Sequence, residues 1–343
     1  MADGIRARPL HRATIKDVAQ LAGVSISTTA RALSGEGYVA AEVRERVRAI
    51  ADGVGYVPHA MASNLRKQQS RSIGVIVSDL RNAFYADLAA GIGRRANEHR
   101  YTMVLVDDRG SVEAERDAVK AFVGMRVAGV VVTPVSAAPS SYLLRQHTPV
   151  VEVDRTFSNG GCDCVLVDNV GASRRLTDHL VALGHRRIAM LVDEAHWTTG
   201  SDRVAGYRQC LEESGIQFDP RLLVSAGWDA ARAREVAIDL LSRRDRPTAL
   251  FSANNLIAEG VWRAAGELGL RVPQDLSIVS FDDAPWMSMV LPGLTAVAQD
   301  TVALGEAAVD RLLMRLDDPD AAVRTLVMKA ELQARGSTAA PKP

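Results

Sequence analysis

From Ile73 to Phe281 the chain repeats one pattern: a short apolar run, a polar turn, then a helical stretch. The runs are "IGVIV" (Ile73–Val77), "TMVLV" (Thr102–Val106), "GVVV" (Gly129–Val132), "PVVEV" (Pro149–Val153) and "CVLV" (Cys164–Val167). They continue with "IAMLV" (Ile188–Val192), "LLVSA" (Leu222–Ala226), "ALFS" (Ala249–Ser252) and "LSIVSF" (Leu276–Phe281). Between them the pattern predicts helices such as Val112–Met125, started by Ser111, and Val170–Leu183, started by Asp168 and Asn169. Continuous apolar strands alternating with helices specify parallel sheets covered on both faces. Nine strands predict an α/β body of two doubly wound parallel sheets. A length of 343 residues, 47% hydrophobic and 24% charged, fits a globular chain of more than one core.

In open sheets of this kind ligands bind beyond the carboxyl ends of the strands. At those ends stand Asp79, Asn82 and Phe84, then Arg109, Thr133, Asp154, Trp197, Thr199, Arg203, Trp228, Asn254, Asn255, Asp282, Asp283 and Trp286. Asp and Asn also cap helices, but as a set these groups mark a cleft between two lobes. Enzyme signatures are missing. No Gly-x-Gly-x-x-Gly follows a strand, and no phosphate-binding Gly-Lys-Ser/Thr loop or Gly-x-Ser-x-Gly elbow is present. "GIGRRA" (Gly91–Ala96) falls inside a helical stretch and reads as a packing site. Binding without catalysis is expected, with no cofactor. Cys162, Cys164 and Cys210 have no framework spacing and suit a reducing cytoplasm. With no His/Cys pair near Cys162 and Cys164, no metal site is expected. There is no apolar run long enough for a membrane span, and "MADGIRARPLHR" has no apolar core for a secretory signal.

The first residues follow another regime. Residues 1–72 hold 11 Lys/Arg against 6 Asp/Glu, and the rest hold 30 against 35, so a basic head precedes an acidic body. That asymmetry points to a polyanion partner for the head. In "TIKDVAQLAGVSISTTARALSG" (Thr14–Gly35), Thr14 caps a helix with Ile15, Val18, Ala19 and Ala22 inward, and Asp17 completes a capping box. Gly23 permits a sharp turn, and Ser25 caps a second helix. Val43, Val47, Ile50, Ala51 and Val54 share one face of a third. Helix, glycine turn, helix is the helix-turn-helix unit, whose second helix enters the major groove of DNA. There Arg31 suits guanine, Ile26 a thymine methyl, and Ser25, Ser27, Thr28 and Thr29 offer short hydroxyl contacts.

These segments, with "YVAAEVRERVRAIADGVGYVPHAMASNLR", "RSIGVIVSDLRNAFYADLAAGI", "FSANNLIAEGVWRAAGELGLRVPQDLSIVSFDD" and "LPGLTAVAQD", resemble the LacI/GalR family of bacterial transcriptional regulators. The likeness runs in order over roughly residues 13–335. It implies a helix-turn-helix DNA-binding domain at 13–57, a hinge helix and linker at 58–70, and a periplasmic-binding-protein-like core at 71–335. The N lobe takes about 71–168 plus 297–325, the C lobe about 169–296 plus 326–335, and a tail remains at 336–343. The implied DNA contacts are Thr14, Ser25, Ile26, Ser27, Thr28, Thr29, Arg31, Ser34 and Tyr56, with His59, Ala62 and Leu65 from the hinge. Leu65 matches the residue that wedges into the minor groove. Departures from the family pattern are Ala30, His59, Ser63 and Ala83.

The implied effector contacts are Asp79, Phe84, Arg109, Thr133, Asp154, Trp197, Arg203, Trp228, Asn254 and Asp282. Carboxylates, Asn and Arg each engage neighbouring hydroxyls, and Trp197, Trp228 or Phe84 covers an apolar ring face. A sugar or polyol is favoured, with a purine or nucleoside corepressor as the alternative. By resemblance, a homodimer on a palindromic operator answers the effector through lobe closure, which sets whether both heads reach successive major grooves. A solute-binding module without DNA function is the remaining reading.

Overall fold

A computed structural model describes residues 13–35, 37–56, 70–193 and 197–342. His59, Ala62 and Leu65 lie outside the described residues. The chain divides into two compact units, Met1–Ser70 and Arg71–Pro343.

The first unit holds α1 (Ile15–Ala22), α2 (Ile26–Ser34) and α3 (Ala41–Gly53). Thr14 and Asp17 form the capping box: the Thr14 amide donates to Asp17 Oδ2 at 2.7 Å, and the Asp17 amide to Thr14 Oγ1 at 3.4 Å. Gly23 ends α1 at φ 67°, a left-handed conformation costly for a residue with a Cβ. Ser25 then accepts from the Thr28 amide at 3.1 Å and starts α2. Val18, Ala22, Ala32, Val47 and Ala51 close a small core, with Val24, Leu33, Val43, Ile50 and Tyr56 against it.

The second unit is built on two six-stranded sheets. Its elements are β1 (Ser72–Val77), α4 (Ala83–Glu98), β2 (Thr102–Asp107), α5 (Val112–Met125), β3 (Gly129–Val132), α6 (Ala138–Arg145), β4 (Val150–Asp154), β5 (Asp163–Val167) and α7 (Asn169–Ala182). There follow β6 (Ile188–Val192), α8 (Thr198–Glu213), β7 (Leu223–Ser225), α9 (Ala230–Leu241), β8 (Ala249–Ser252), α10 (Asn255–Glu267) and β9 (Ser277–Phe281). The last are α11 (Trp286–Met289), β10 (Thr295–Ala298), α12 (Thr301–Asp317), β11 (Thr325–Met328) and β12 (Glu331–Gln333).

The first sheet runs β11-β5-β4-β3-β1-β2 and is parallel throughout. The second runs β12-β10-β9-β8-β6-β7, with only β12 antiparallel. The chain therefore passes between lobes after β5, after β10 and after β11. Because β11 pairs with β5, residues 325–328 belong to the first lobe, beyond the 325 boundary read from the sequence. The 336–343 tail is not separate either. Ser337 is buried, its hydroxyl donates to the Ile278 carbonyl at 2.6 Å, and the Ile278 amide returns to the Ser337 carbonyl at 3.0 Å.

Ser111 caps α5, accepting from the Ala114 amide at 3.3 Å, and Asp168 caps α7, accepting from the Gly171 amide at 2.8 Å. Gly91 in α4 meets α12 so closely that a Cβ would land on the Val302 carbonyl oxygen. Gly305 of α12 answers it, where a Cβ would land on the Leu88 carbonyl oxygen. Helix α12 is sequence-distant from α4, yet this pair of glycines locks it into the first lobe.

Candidate functional site

In the first unit α2 has two faces. Thr29 and Ala32 point into the core, and the Thr29 hydroxyl donates to the Ser25 carbonyl at 3.0 Å. Thr29 is thus turned away from any phosphate, a correction to the sequence expectation. Its spacing from Ala32 is the helical period that puts both on the buried side. Ser25, Ile26, Ser27, Arg31 and Ser34 are exposed, and Thr28 is half-buried. Ile26, a large aliphatic side chain, is 45% exposed at the first position of α2. The Arg31 Nε leans on the Ser27 carbonyl at 3.3 Å and aims its guanidinium along the same surface. Thr14 is exposed at the start of α1, whereas Tyr56 is half-buried against the core. Tyr38, which the sequence reading passed over, is 91% exposed between α2 and α3. The face thus joins a guanidinium, hydroxyls and an aliphatic tip.

In the second unit a narrow pocket is lined by Asp79, Phe84, Asp154, Arg203, Trp228, Asn254 and Asp282. Asn82, Tyr85, Arg155, Asp193, Thr199 and Leu256 complete the wall. The strand ends explain the placement: Asp154 ends β4, Asp193 follows β6, and Asp282 follows β9. Asp154 and Asp282 both adopt left-handed backbone conformations, at φ 72° and 68°, which turn these side chains out of the strand direction.

Arg203, on α8, holds the floor of the second lobe. Its Nε donates to Asn169 Oδ1 at 2.8 Å and its Nη1 to the Ala253 carbonyl at 2.5 Å. The guanidinium lies 3.8 Å over the Phe281 ring and 3.9 Å from Asp282. Asp282 accepts from the Gln299 amide, and burial pushes its carboxyl up to about 6 against the pull of Arg203 and Gln299. Asn254 caps α10 and donates to Asp193 Oδ2 at 3.0 Å.

Arg155 organises the first lobe. It is fully buried and donates to the Pro134 carbonyl at 2.6 Å, to the Tyr85 hydroxyl at 2.9 Å and to the Ser78 hydroxyl. It stands 3.6 Å from Asp154. Burial raises the Asp154 carboxyl, and Arg155 and Arg203 oppose that rise. Burial also lifts the Tyr85 hydroxyl to about 12, so this residue is a neutral hydrogen-bonding group. By contrast, the hydrogen bond from Arg81 holds Asp79 below the usual carboxylate range.

The lobes meet around this pocket. Arg155 lies 4.0 Å over the Trp197 ring, and Trp197 packs edge-on to Trp228 at 4.2 Å. The Thr156 amide donates to Thr198 Oγ1 at 3.1 Å, and Asn255 Nδ2 to Asn82 Oδ1 at 2.8 Å. Trp197 therefore backs Trp228 instead of forming the wall. Two further expected contacts also fall outside the wall. Arg109 points to solvent, 3.9 Å from Asp107, while its neighbour Gly110 brings bare backbone up to Trp228. Thr133 is buried behind Arg155, its hydroxyl donating to the Ile76 carbonyl at 3.3 Å.

Known proteins similar to this chain share both units. Residues 14–59 match the model for bacterial regulatory proteins of the lacI family, and residues 177–338 match a periplasmic binding protein-like domain. The ribose operon repressor of Haemophilus influenzae is 30% identical over 318 residues, covering 92% of this chain and 96% of that protein. The chain belongs to the LacI family of bacterial regulatory proteins. It is a helix-turn-helix transcriptional repressor with an effector-binding core, and not an enzyme. The transcriptional repressor PurR of Vibrio atlanticus is 29% identical over 328 residues, with 95% and 98% covered. Among solved structures, the Lac repressor dimer bound to operator and the anti-inducer ONPF superposes with a TM-score of 0.85 at 31% identity, over 96% of this chain and all of that one. Among the described residues no helix is long and apolar enough to cross a membrane.

Proposed function

We propose that this repressor reads its operator through the exposed face of α2 and answers a neutral, polyhydroxylated sugar held between the lobes of its body. For the first part, Arg31 is the bidentate donor for guanine, Ile26 the contact for a thymine methyl, and Ser25, Ser27 and Thr28 the phosphate and base-edge hydroxyls. Thr14, Ser34 and Tyr56 flank that face. The active species is a homodimer on a palindromic operator, acting in the cytoplasm.

One observation carries the ligand class: four carboxylates, of Asp79, Asp154, Asp193 and Asp282, line the pocket with the guanidiniums of Arg155 and Arg203. Both guanidiniums are already engaged by protein acceptors. Asp79 is itself paired by Arg81 at 2.9 Å, so the surplus is three carboxylates against two guanidiniums, in acceptors and in negative charge. Gln299 Oε1 and Asn255 Oδ1, on side chains bonded to pocket residues, add buried acceptors with no partner among the described residues. A sugar supplies hydroxyl donors to such groups, and Trp228 and Phe84 cover its apolar ring face. An anionic ligand meets repulsion, and an unpaired buried acceptor is costly, so the pocket selects for donors.

The sugar acts through its differential affinity for two lobe arrangements, and operator affinity follows by linkage. A thermal-shift screen of the full chain tests the ligand class. Neutral pentoses or hexoses are expected to raise Tm. A rise confined to sugar phosphates or to purines contradicts the proposal.

A further inference from the structure

Cys162 and Cys164 gain in the fold what the sequence withheld, a third ligand. Strand β4 runs beside β5 with Glu152 opposite Cys164. The Glu152 carboxylate and the two sulfurs lie within 4.8 Å of one another, and all three residues are buried. Cys164 Sγ stands 3.9 Å from Glu152 Oε2. Between a sulfur and an oxygen on a tetrahedral zinc-type ion the separation is about 3.6 Å, given Zn–S near 2.3 Å and Zn–O near 2.1 Å. The Cys164–Glu152 pair is therefore within a few tenths of an ångström of that separation, and the remaining pairs need to close to it from within 4.8 Å.

Its electrostatics point the same way. Glu152 accepts from the Ser140 hydroxyl at 2.6 Å, from the Phe157 and Ser158 amides at 3.1 and 3.2 Å, and from the Thr156 hydroxyl. Three of these four bonds reach Oε2, the oxygen nearest Cys164, so a cation held there takes over acceptor positions now filled by Thr156, Phe157 and Ser158. Among the described residues no Lys, Arg or His forms an ion pair with it, whereas Asp163, between the two cysteines, faces Arg311 and Arg315 at 2.9 and 2.8 Å. Hydrogen bonds alone balance this buried carboxylate, so the position beside it is open to a cation.

We propose that Glu152, Cys162 and Cys164 form a binding site for one thiophilic divalent cation of the zinc class, with water or the Ser158 hydroxyl in the fourth position. Binding displaces the protons of the two thiols and leaves the carboxylate as the third donor. The site is separate from the effector pocket, so it stands whether or not the sugar proposal does.

The test is a Cd²⁺ titration of the chelator-stripped full chain under a non-thiol reductant, followed by thiolate-to-cadmium charge-transfer absorption. The band is expected to saturate at one ion per chain, to be displaced by Zn²⁺, and to survive Cys210→Ser. The double variant Cys162→Ser/Cys164→Ser should lose it. Should that variant lose its native circular dichroism, Cys162→Ala decides, with at least tenfold weaker Cd²⁺ binding expected. Absence of the band in the parent chain after incubation near its Tm overturns the proposal. Equal Cd²⁺ binding by the cysteine variants overturns it as well.

Discussion

The two units solve recognition in opposite ways. The helix-turn-helix unit carries its candidate contacts outward on one short helix, so neighbours in sequence are neighbours in space. The body buries its candidate contacts, drawing them from loops after β1, β4, β6, β7, β8 and β9 and from α4, α8 and α10. A surface built from one helix tolerates change at one position with a graded loss. A pocket whose charges are buried and mutually paired fails when one member goes, because its partner is left stranded.

The largest expected effect follows from that contrast. Arg203→Ala removes the cation 3.9 Å from buried Asp282 and two hydrogen bonds to the second lobe. Loss of one partner of a buried pair costs about 3–5 kcal/mol of stability, so the body should unfold at clearly lower denaturant concentration, and calorimetry should find effector binding weaker. Operator binding without effector should be unchanged. Close behind comes Gly305→Val, which drives a side chain into the Leu88 carbonyl region of α4. Overpacking of this kind costs about 1–3 kcal/mol, and the body should unfold at lower denaturant concentration with an unchanged slope.

On the head, Arg31→Ala should weaken operator binding by about 1–3 kcal/mol and relax specificity at one base pair, read in a titration against single-substituted operators. Effector binding should stay the same. Loss of both would erase the separation between the units. The pH dependence is smaller. Asp282 titrates near 6 in the folded chain, above its unfolded value of 3.8, so its protonated form favours folding. That stabilisation is present below about pH 4 and lost as pH rises through about 6. A ligand donating hydroxyls to the carboxylate needs the ionised form, so its affinity should rise about tenfold between pH 5 and 7. Asp282→Asn should flatten that profile. Smallest of all, Thr29→Val should change operator affinity by less than about 0.5 kcal/mol, since the hydroxyl already faces the Ser25 carbonyl.

The same contrast explains what could be read in advance. The capping box, Gly23 and Ser25 are local signals, and they sit where the spacing puts them. Seven of the nine strands read from the sequence are buried, and burial on both faces leaves an unbroken apolar run; β2 and β7 lie at sheet edges, half-buried, and still carry enough apolar residues to be read. Strand β11, with Thr325, Leu326 and Val327 exposed, carries no such run, and β10 and β12 are only four and three residues long. In the pocket, Arg155 and Tyr85 were passed over because each adjoins a residue already counted, Asp154 and Phe84. Asp193 directly follows β6, and applying the strand-end rule without exception would have found it. Nothing local, by contrast, marks Arg109 as solvent-facing or Thr133 as covered by Arg155. Glu152 reached the cysteines only through the β4–β5 register, which no spacing along the chain reveals.

The central claim is that sugar in the body and operator on the head are thermodynamically linked. Its most direct test is an operator titration of the full chain with and without a neutral sugar already shown by calorimetry to bind. The account predicts a shift in operator Kd of at least about fivefold, abolished by Arg203→Ala. An operator Kd unmoved by a saturating, demonstrably bound sugar would contradict it.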